Sequence, residues 1–231
     1  MSESNDPAEA TKELAIENGR LKTDLSNLER SYNLTLELMG HVLDSKNAEN
    51  EGHCKRVTAF SIAIARTMGL PREKIVVIAR GVFLHDIGKM AIPDAILCKP
   101  SKLLDDEQRV LRQHAYYGYQ MLKNIPILVE ASEIVYSHHE RFDGTGYPRG
   151  LKGETIPLGA RIFAVADTLD AITSDHPFSF PRTLREARGE IEKCSGSQFD
   201  PEVVKVFLDM PETIWSDLRN EIDGWQPTQL M

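Results

Sequence analysis

Residues 84–89 read Leu84-His85-Asp86-Ile87-Gly88-Lys89, and the rest of the chain can be read outward from them. An apolar run from Ile75 to Leu84 leads into the stretch with helix-compatible spacing, so a helix is expected from about Arg72 to Met90, closed by Pro93. Neighbours on a helix diverge by about 100°, whereas residues four apart share a face. His85 and Asp86 can therefore approach one ion from two sides, with Lys89 beside it. An isolated His-Asp pair is as well explained by a capped core helix. What favours chemistry here is the second histidine-rich stretch, HHERFDGTGYP at residues 138–148.

Five of the seven histidines, His53, His85, His114, His138 and His139, fall in or beside helices of one block. Carboxylates accompany them: Glu49 one turn before His53, Asp86 next to His85, and Asp167 within FAVADTLDA. Neutral imidazole with carboxylate, and no thiolate, suits Fe, Mn, Ni or Zn. Side chains from separate helices of an all-α domain can build such a centre, as in di-iron bundles. Helices are expected at Glu49–Met68, around His114 after Asp105, from Leu128 to the paired histidines, over Gly159–Thr173, and near 184–193 and 201–209. Residues 144–153 form a glycine-rich loop, and no stretch alternates well enough for a sheet.

At the N-terminus the pattern changes. Leu14, Leu21 and Leu28 recur every seven residues, with Asn18, Leu25, Tyr32 and Met39 as the complementary set. That is a short coiled-coil seam, and a polar Asn18 in it favours a parallel homodimer. The alternative is an amphipathic helix packed on its own domain. The expected organisation is a flexible segment 1–12, a coiled-coil or linker helix 13–44, a catalytic domain 45–210 and a tail 211–231.

Composition narrows the classes. The 231 residues are 41% hydrophobic and 27% charged, enough to bury a core without disulfides. Cys54, Cys98 and Cys194 have no CxxC spacing and read as reduced thiols of a cytoplasmic protein. A net charge of −8 argues against polymeric nucleic acid, though not against a small anionic ligand. No apolar run reaches transmembrane length, and the first residues do not resemble a signal peptide, so no membrane insertion is expected.

Taken together, His53, HDIGK at 85–89, His114, His138-His139-Glu140, DGTGYP at 143–148, Val165-Ala166-Asp167 and the late Gln198-Phe199-Asp200-Pro201 resemble the HD-GYP subgroup of HD metal-dependent phosphohydrolases. The resemblance runs from residue 45 to about 208. It implies an all-α HD-domain helical bundle that hydrolyses cyclic di-GMP to pGpG or GMP. It also implies that His53, His85, Asp86 and Asp167 bind one metal, with Asp86 bridging to a second held by His114, His138 and His139. Glu49 stands where some members complete a third site, so two or three divalent transition metal ions are implied, iron first, then manganese or nickel. Asp86 and Lys89 carry catalysis on this reading, and Lys89, Tyr147 and Arg182 meet substrate. Asp170 is a candidate for orienting a ligand, or else a surface acid.

The chain departs from the family in one loop. Members usually carry an arginine, then proline and an aromatic, then often a basic residue after the position of Asp170-Ala171, whereas this chain has His176-Pro177-Phe178-Ser179. Arg182 is the expected substitute. Rival readings are hydrolysis of another cyclic dinucleotide, such as cyclic GMP-AMP, and a non-catalytic module that senses the messenger. A diguanylate cyclase or an upstream sensor domain is the expected protein partner.

Overall fold

The computed structural model describes residues 7–46, 52–175 and 180–223. Eleven α-helices follow in order among them: α1 (Pro7–Lys46), α2 (His53–Thr67), α3 (Arg72–Phe83), α4 (Asp94–Leu97), α5 (Asp105–Arg112), α6 (His114–Leu122), α7 (Val129–Ser137), α8 (Leu158–Thr173), α9 (Leu184–Lys193), α10 (Pro201–Asp209) and α11 (Thr213–Asp223). No strand occurs among the described residues, only one isolated bridge between Ser195 and Phe199. The fold is all-α, as expected.

The chain divides into two units, Met1–Met39 and Gly40–Met231. The first is most of α1, a helix of 40 residues that begins at Pro7, inside the segment expected to be flexible. Leu14 and Leu21 stand 65% and 56% exposed on it. No described helix is long and apolar enough to cross a membrane.

The second unit is built on α2, which lies against α3, α8 and α11. Phe60 and Ile64 of α2 share a core with Ile162 and Leu169 of α8 and Phe207 of α10. Trp215 of α11 closes it, with its ring edge-on to Phe60 at 5.6 Å. Residues 213–223, placed in a tail by the sequence, therefore pack into the domain. Trp215 buries because an indole offers a large apolar area to a helix-lined core.

Four helix boundaries in the second unit differ from expectation, each beside a histidine. The helix expected from Glu49 starts at His53, after Gly52 at φ 81°, outside helical geometry. The helix of residues 72–90 stops at Phe83. Leu84 and Asp86 leave helical geometry at φ −103° and −98°, and a 3-10 turn follows at Ile87–Ala91. The helix expected to hold His114 is two, α5 and α6, meeting at Gln113. The helix from Leu128 ends at Ser137, so it delivers His138 and His139 from its C-terminal edge. The 3-10 turn lies so close to α6 that a Cβ on Gly88 would meet the His114 carbonyl oxygen at 1.9 Å. Only glycine permits that approach, and it brings Asp86 to His114.

Candidate metal centre

Three imidazoles are set by the same local device. Nδ1 of His85 lies 2.8 Å from the Val82 carbonyl, Nδ1 of His114 lies 2.7 Å from that of Leu111, and Nδ1 of His138 lies 2.7 Å from that of Val135. Each acceptor is three residues earlier, in the last turn of a helix where carbonyls lack an intrahelical donor. Donating Nδ1–H there leaves Nε2 with its lone pair turned away from the helix.

Those lone pairs converge. Nε2 of His114 lies 3.1 Å from Nε2 of His138 and 3.2 Å from Nε2 of His139. With Nδ1–H already donated, neither His114 nor His138 has a hydrogen left for the other. Their contact sets lone pair against lone pair and is relieved only by a cation. A proton is disfavoured. Burial holds His138 well below the usual imidazole range, aided by the neighbouring His139, and holds His114 low as well. Burial and His114 push His139 down to about 3. The three rings thus meet the requirements of a divalent metal ligand set.

Asp86 stands between this trio and His85. Its Oδ2 lies 3.2 Å from Nε2 of His85 and 2.7 Å from Nζ of Lys89, while its Oδ1 lies 3.3 Å from Nε2 of His114 and 3.9 Å from Nε2 of His138. Burial opposes its charge, but His85 and Lys89 outweigh burial and hold the carboxyl well below the usual range. On the far side, Nε2 of His53 lies 3.5 Å from Oδ1 of Asp167. His53, His85, Asp86, Lys89, His138 and Asp167 line one cavity of about 200 Å³. Phe163 forms part of its wall, tilted against His85 at 4.7 Å between ring centroids.

Asp170 is buried, not on the surface. Its Oδ2 accepts from Nδ1 of His53 at 2.9 Å, and its Oδ1 accepts from Nε of Arg56 at 2.7 Å and from Nη2 of Arg219 at 3.2 Å. It fixes the His53 ring so that Nε2 faces Asp167. These partners hold the carboxyl below its ordinary range although burial pushes the other way. The sequence held half of this signal, since Arg56 and Asp170 each stand three residues after His53 and Asp167. That α2, α8 and α11 meet there was not visible in it.

The loop after α7 is organised by Glu140, to which no role had been given. Its two carboxylate oxygens accept from the backbone N–H groups of Arg149 at 2.7 Å and Leu151 at 3.0 Å. A Cβ on Gly146 would meet the Arg141 nitrogen at 2.3 Å, so the chain folds back only with glycine there. The fold-back stacks Tyr147 on His139 at 4.6 Å between centroids, and Arg112 covers the Tyr147 ring at 4.9 Å. Asp143 accepts from the Thr145 N–H at 2.9 Å and so stabilises the turn. Arg182 stands apart from the 200 Å³ cavity, with Nε 3.5 Å from Glu186. Glu49 and residues 176–179 lie outside the described residues.

A cyclic di-GMP phosphodiesterase of Thermotoga maritima is 42% identical over 190 residues, covering 81% of this chain and 52% of its own length. The 3'3'-cGAMP-specific phosphodiesterase 2 of Vibrio cholerae is 34% identical over 200 residues, covering 85% and 37%. The chain thus spans about half, or less, of the curated relatives it matches. Among solved structures, a cyclic GMP-AMP specific phosphodiesterase of V. cholerae superposes with a TM-score of 0.65 at 22% identity, covering 84% of this chain and 54% of that one, a likeness of fold. The family model described as HD domain matches residues 37–203, which include every described histidine and carboxylate of the centre. The match covers well over half of the sequence, and the chain belongs to the HD domain family.

Proposed function

We propose that this domain is a metal-dependent phosphodiesterase of cyclic di-GMP, yielding pGpG and, after a second cut, GMP. The observation that carries the reading is the convergence of the His114, His138 and His139 Nε2 atoms beside a buried, charged Asp86. His114, His138 and His139 would hold one ion and His53, His85 and Asp167 another, with Asp86 standing between the two groups. Divalent ions bound there would supply an activated water and offset charge on the phosphate.

The chain's own residues supply the rest. Three carbonyl bonds keep the imidazoles from turning, and Asp170 does the same for His53. Lys89, held at Asp86, presents an ammonium where negative charge grows on the phosphate oxygens. Tyr147 lies at the edge of the centre, against His139. Arg182 contacts substrate only if the loop before it brings it in. Imidazole and carboxylate donors suit iron, manganese or nickel, and the family resemblance puts iron first. Glu49, four residues before His53 in sequence, would serve a third ion.

The relative named as a cyclic di-GMP phosphodiesterase supports the choice of substrate. A second reading, cyclic GMP-AMP, is favoured by the relative named for that dinucleotide and by the altered loop at His176. We further place the domain at residues 45–223 of a cytoplasmic homodimer joined through α1, with a sensor domain or a diguanylate cyclase as its partner.

The test is product analysis. Anaerobically purified protein is assayed for metal and incubated with cyclic di-GMP and cyclic GMP-AMP. Metal-dependent pGpG or GMP supports the reading, and a fully loaded protein that cleaves neither dinucleotide overturns it.

A further inference from the structure

The cavity at the histidines does not stand alone. Through His138, His139 and Asp167 it borders a second hollow of about 290 Å³, which also takes in Arg141, Thr145 and Gln198. Arg112 and Tyr147 are shared between that hollow and a third, of about 450 Å³. Pockets that enclose a drug-sized ligand measure roughly 300–1,000 Å³. The first cavity accommodates a phosphate group but not a dinucleotide, so the bases of such a substrate must lie in the neighbouring hollows.

The third hollow has the chemistry to receive one. Its walls are Tyr116, Tyr136 and Tyr147 with Arg109, Arg112 and Gln113. On a chain of net charge −8, this gathers flat aromatic faces and guanidinium groups in one place. Arg109 is engaged by Asp106 at 2.5 Å, whereas the Arg112 guanidinium carbon lies over the Tyr147 ring, 4.9 Å from its centroid. A guanidinium is a planar fork of N–H donors, matched to a planar partner with two acceptors.

We propose that this cleft is a guanine subsite, in which Arg112 donates two hydrogen bonds to N7 and O6 while a tyrosine ring stacks on the base. The inference rests on the phosphodiesterase reading for its substrate class. Guanine presents two adjacent acceptors, but adenine presents an acceptor beside an amino donor, so a two-pronged donor discriminates between them. The cleft therefore selects dinucleotides that contain guanine over cyclic di-AMP.

Calorimetric titration of the metal-loaded protein with GMP, AMP and inorganic phosphate tests this without turnover. The wild type should bind GMP roughly ten- to a hundredfold more tightly than AMP. Arg112→Ala should bring the two within about threefold and leave phosphate unchanged. Arg112→Lys should not restore the preference, since an ammonium lacks the fork. Tyr116→Leu should weaken both purine nucleotides and spare phosphate. Arg112 and Tyr116 are exposed, and a melting curve for each variant checks the fold. A wild type without preference for GMP overturns the subsite, as does a preference that survives Arg112→Ala. An equal loss of phosphate binding also overturns it, by moving Arg112 to the phosphate. Failure to hydrolyse any cyclic dinucleotide sinks the phosphodiesterase reading instead, and the GMP-to-AMP ratio still decides the subsite.

Discussion

His85, His114 and His138 each give Nδ1 to a carbonyl three residues earlier, so the helix end and the ligand atom are fixed by one bond. That bond sets the first prediction. His85→Ala with Asp86→Ala removes Asp86 from both halves of the centre, and the double variant should lose at least one metal and all hydrolysis. Its far-ultraviolet circular dichroism should stay helical, which metal analysis of the same sample would complement. The second prediction concerns pH. His139 titrates at about 3 in the folded chain against 6.5 ordinarily, so the unfolded chain binds more protons between those values. Stability present above about 6.5 is therefore lost as pH falls toward 3. Asp86, also depressed, adds to the loss at the acid end. Melting of chelator-treated protein from pH 7.5 to 4 should show a steady fall, and a flat profile would contradict the burial argument. Residue types at the centre were legible because imidazole and carboxylate recur in a chain without paired thiols. The ligand-orienting role of Asp170 was legible only as one of two alternatives, since its burial depends on Arg56 and Arg219 arriving from other helices.

The 3-10 turn at Ile87–Ala91 and the loop after α7 are the elements on which the centre hangs. The apolar spacing before His85 continues through Ile87 and Met90, so periodicity alone carries the helix onward. The break comes from a tertiary cause: Gly88 against the backbone of His114. Gly88→Ala should separate the turn from α6, cost about 1–3 kcal/mol or more, and lower metal content through the displaced Asp86. Denaturant titration and metal analysis of one preparation check both effects; a stable, fully loaded variant would show that the turn tolerates a methyl group. The glycine-rich loop was legible as a loop from its composition. Its anchor was missed, because a glutamate accepting two backbone N–H groups nine and eleven residues later leaves no periodic trace.

For the whole molecule, the exposed Leu14 and Leu21 of α1 lead to a prediction about assembly. Leu21→Asp with Leu28→Asp should shift a dimer to monomer by light scattering with the metal content unchanged, because a buried unpaired charge is costly. A dimer that persists would move the interface into the second unit. The helical class and most helices were legible from spacing, whereas α11 was not, because its one large aromatic, Trp215, finds its partners only in the folded core. The Asp170 cluster has a further consequence, one of rate. It joins His53 to Asp170 across 117 residues and draws in Arg219 another 49 along. Closing so long a loop must precede the contact that rewards it, and such contacts tend to form after the main barrier. Removing the carboxylate takes two charged hydrogen bonds from the buried Arg56, at about 3–5 kcal/mol. For Asp170→Ala the folding arm of the denaturant-dependent kinetics should stay in place while the unfolding arm rises. The cluster then acts as a latch: it leaves the speed of folding alone and lengthens the time the folded domain survives.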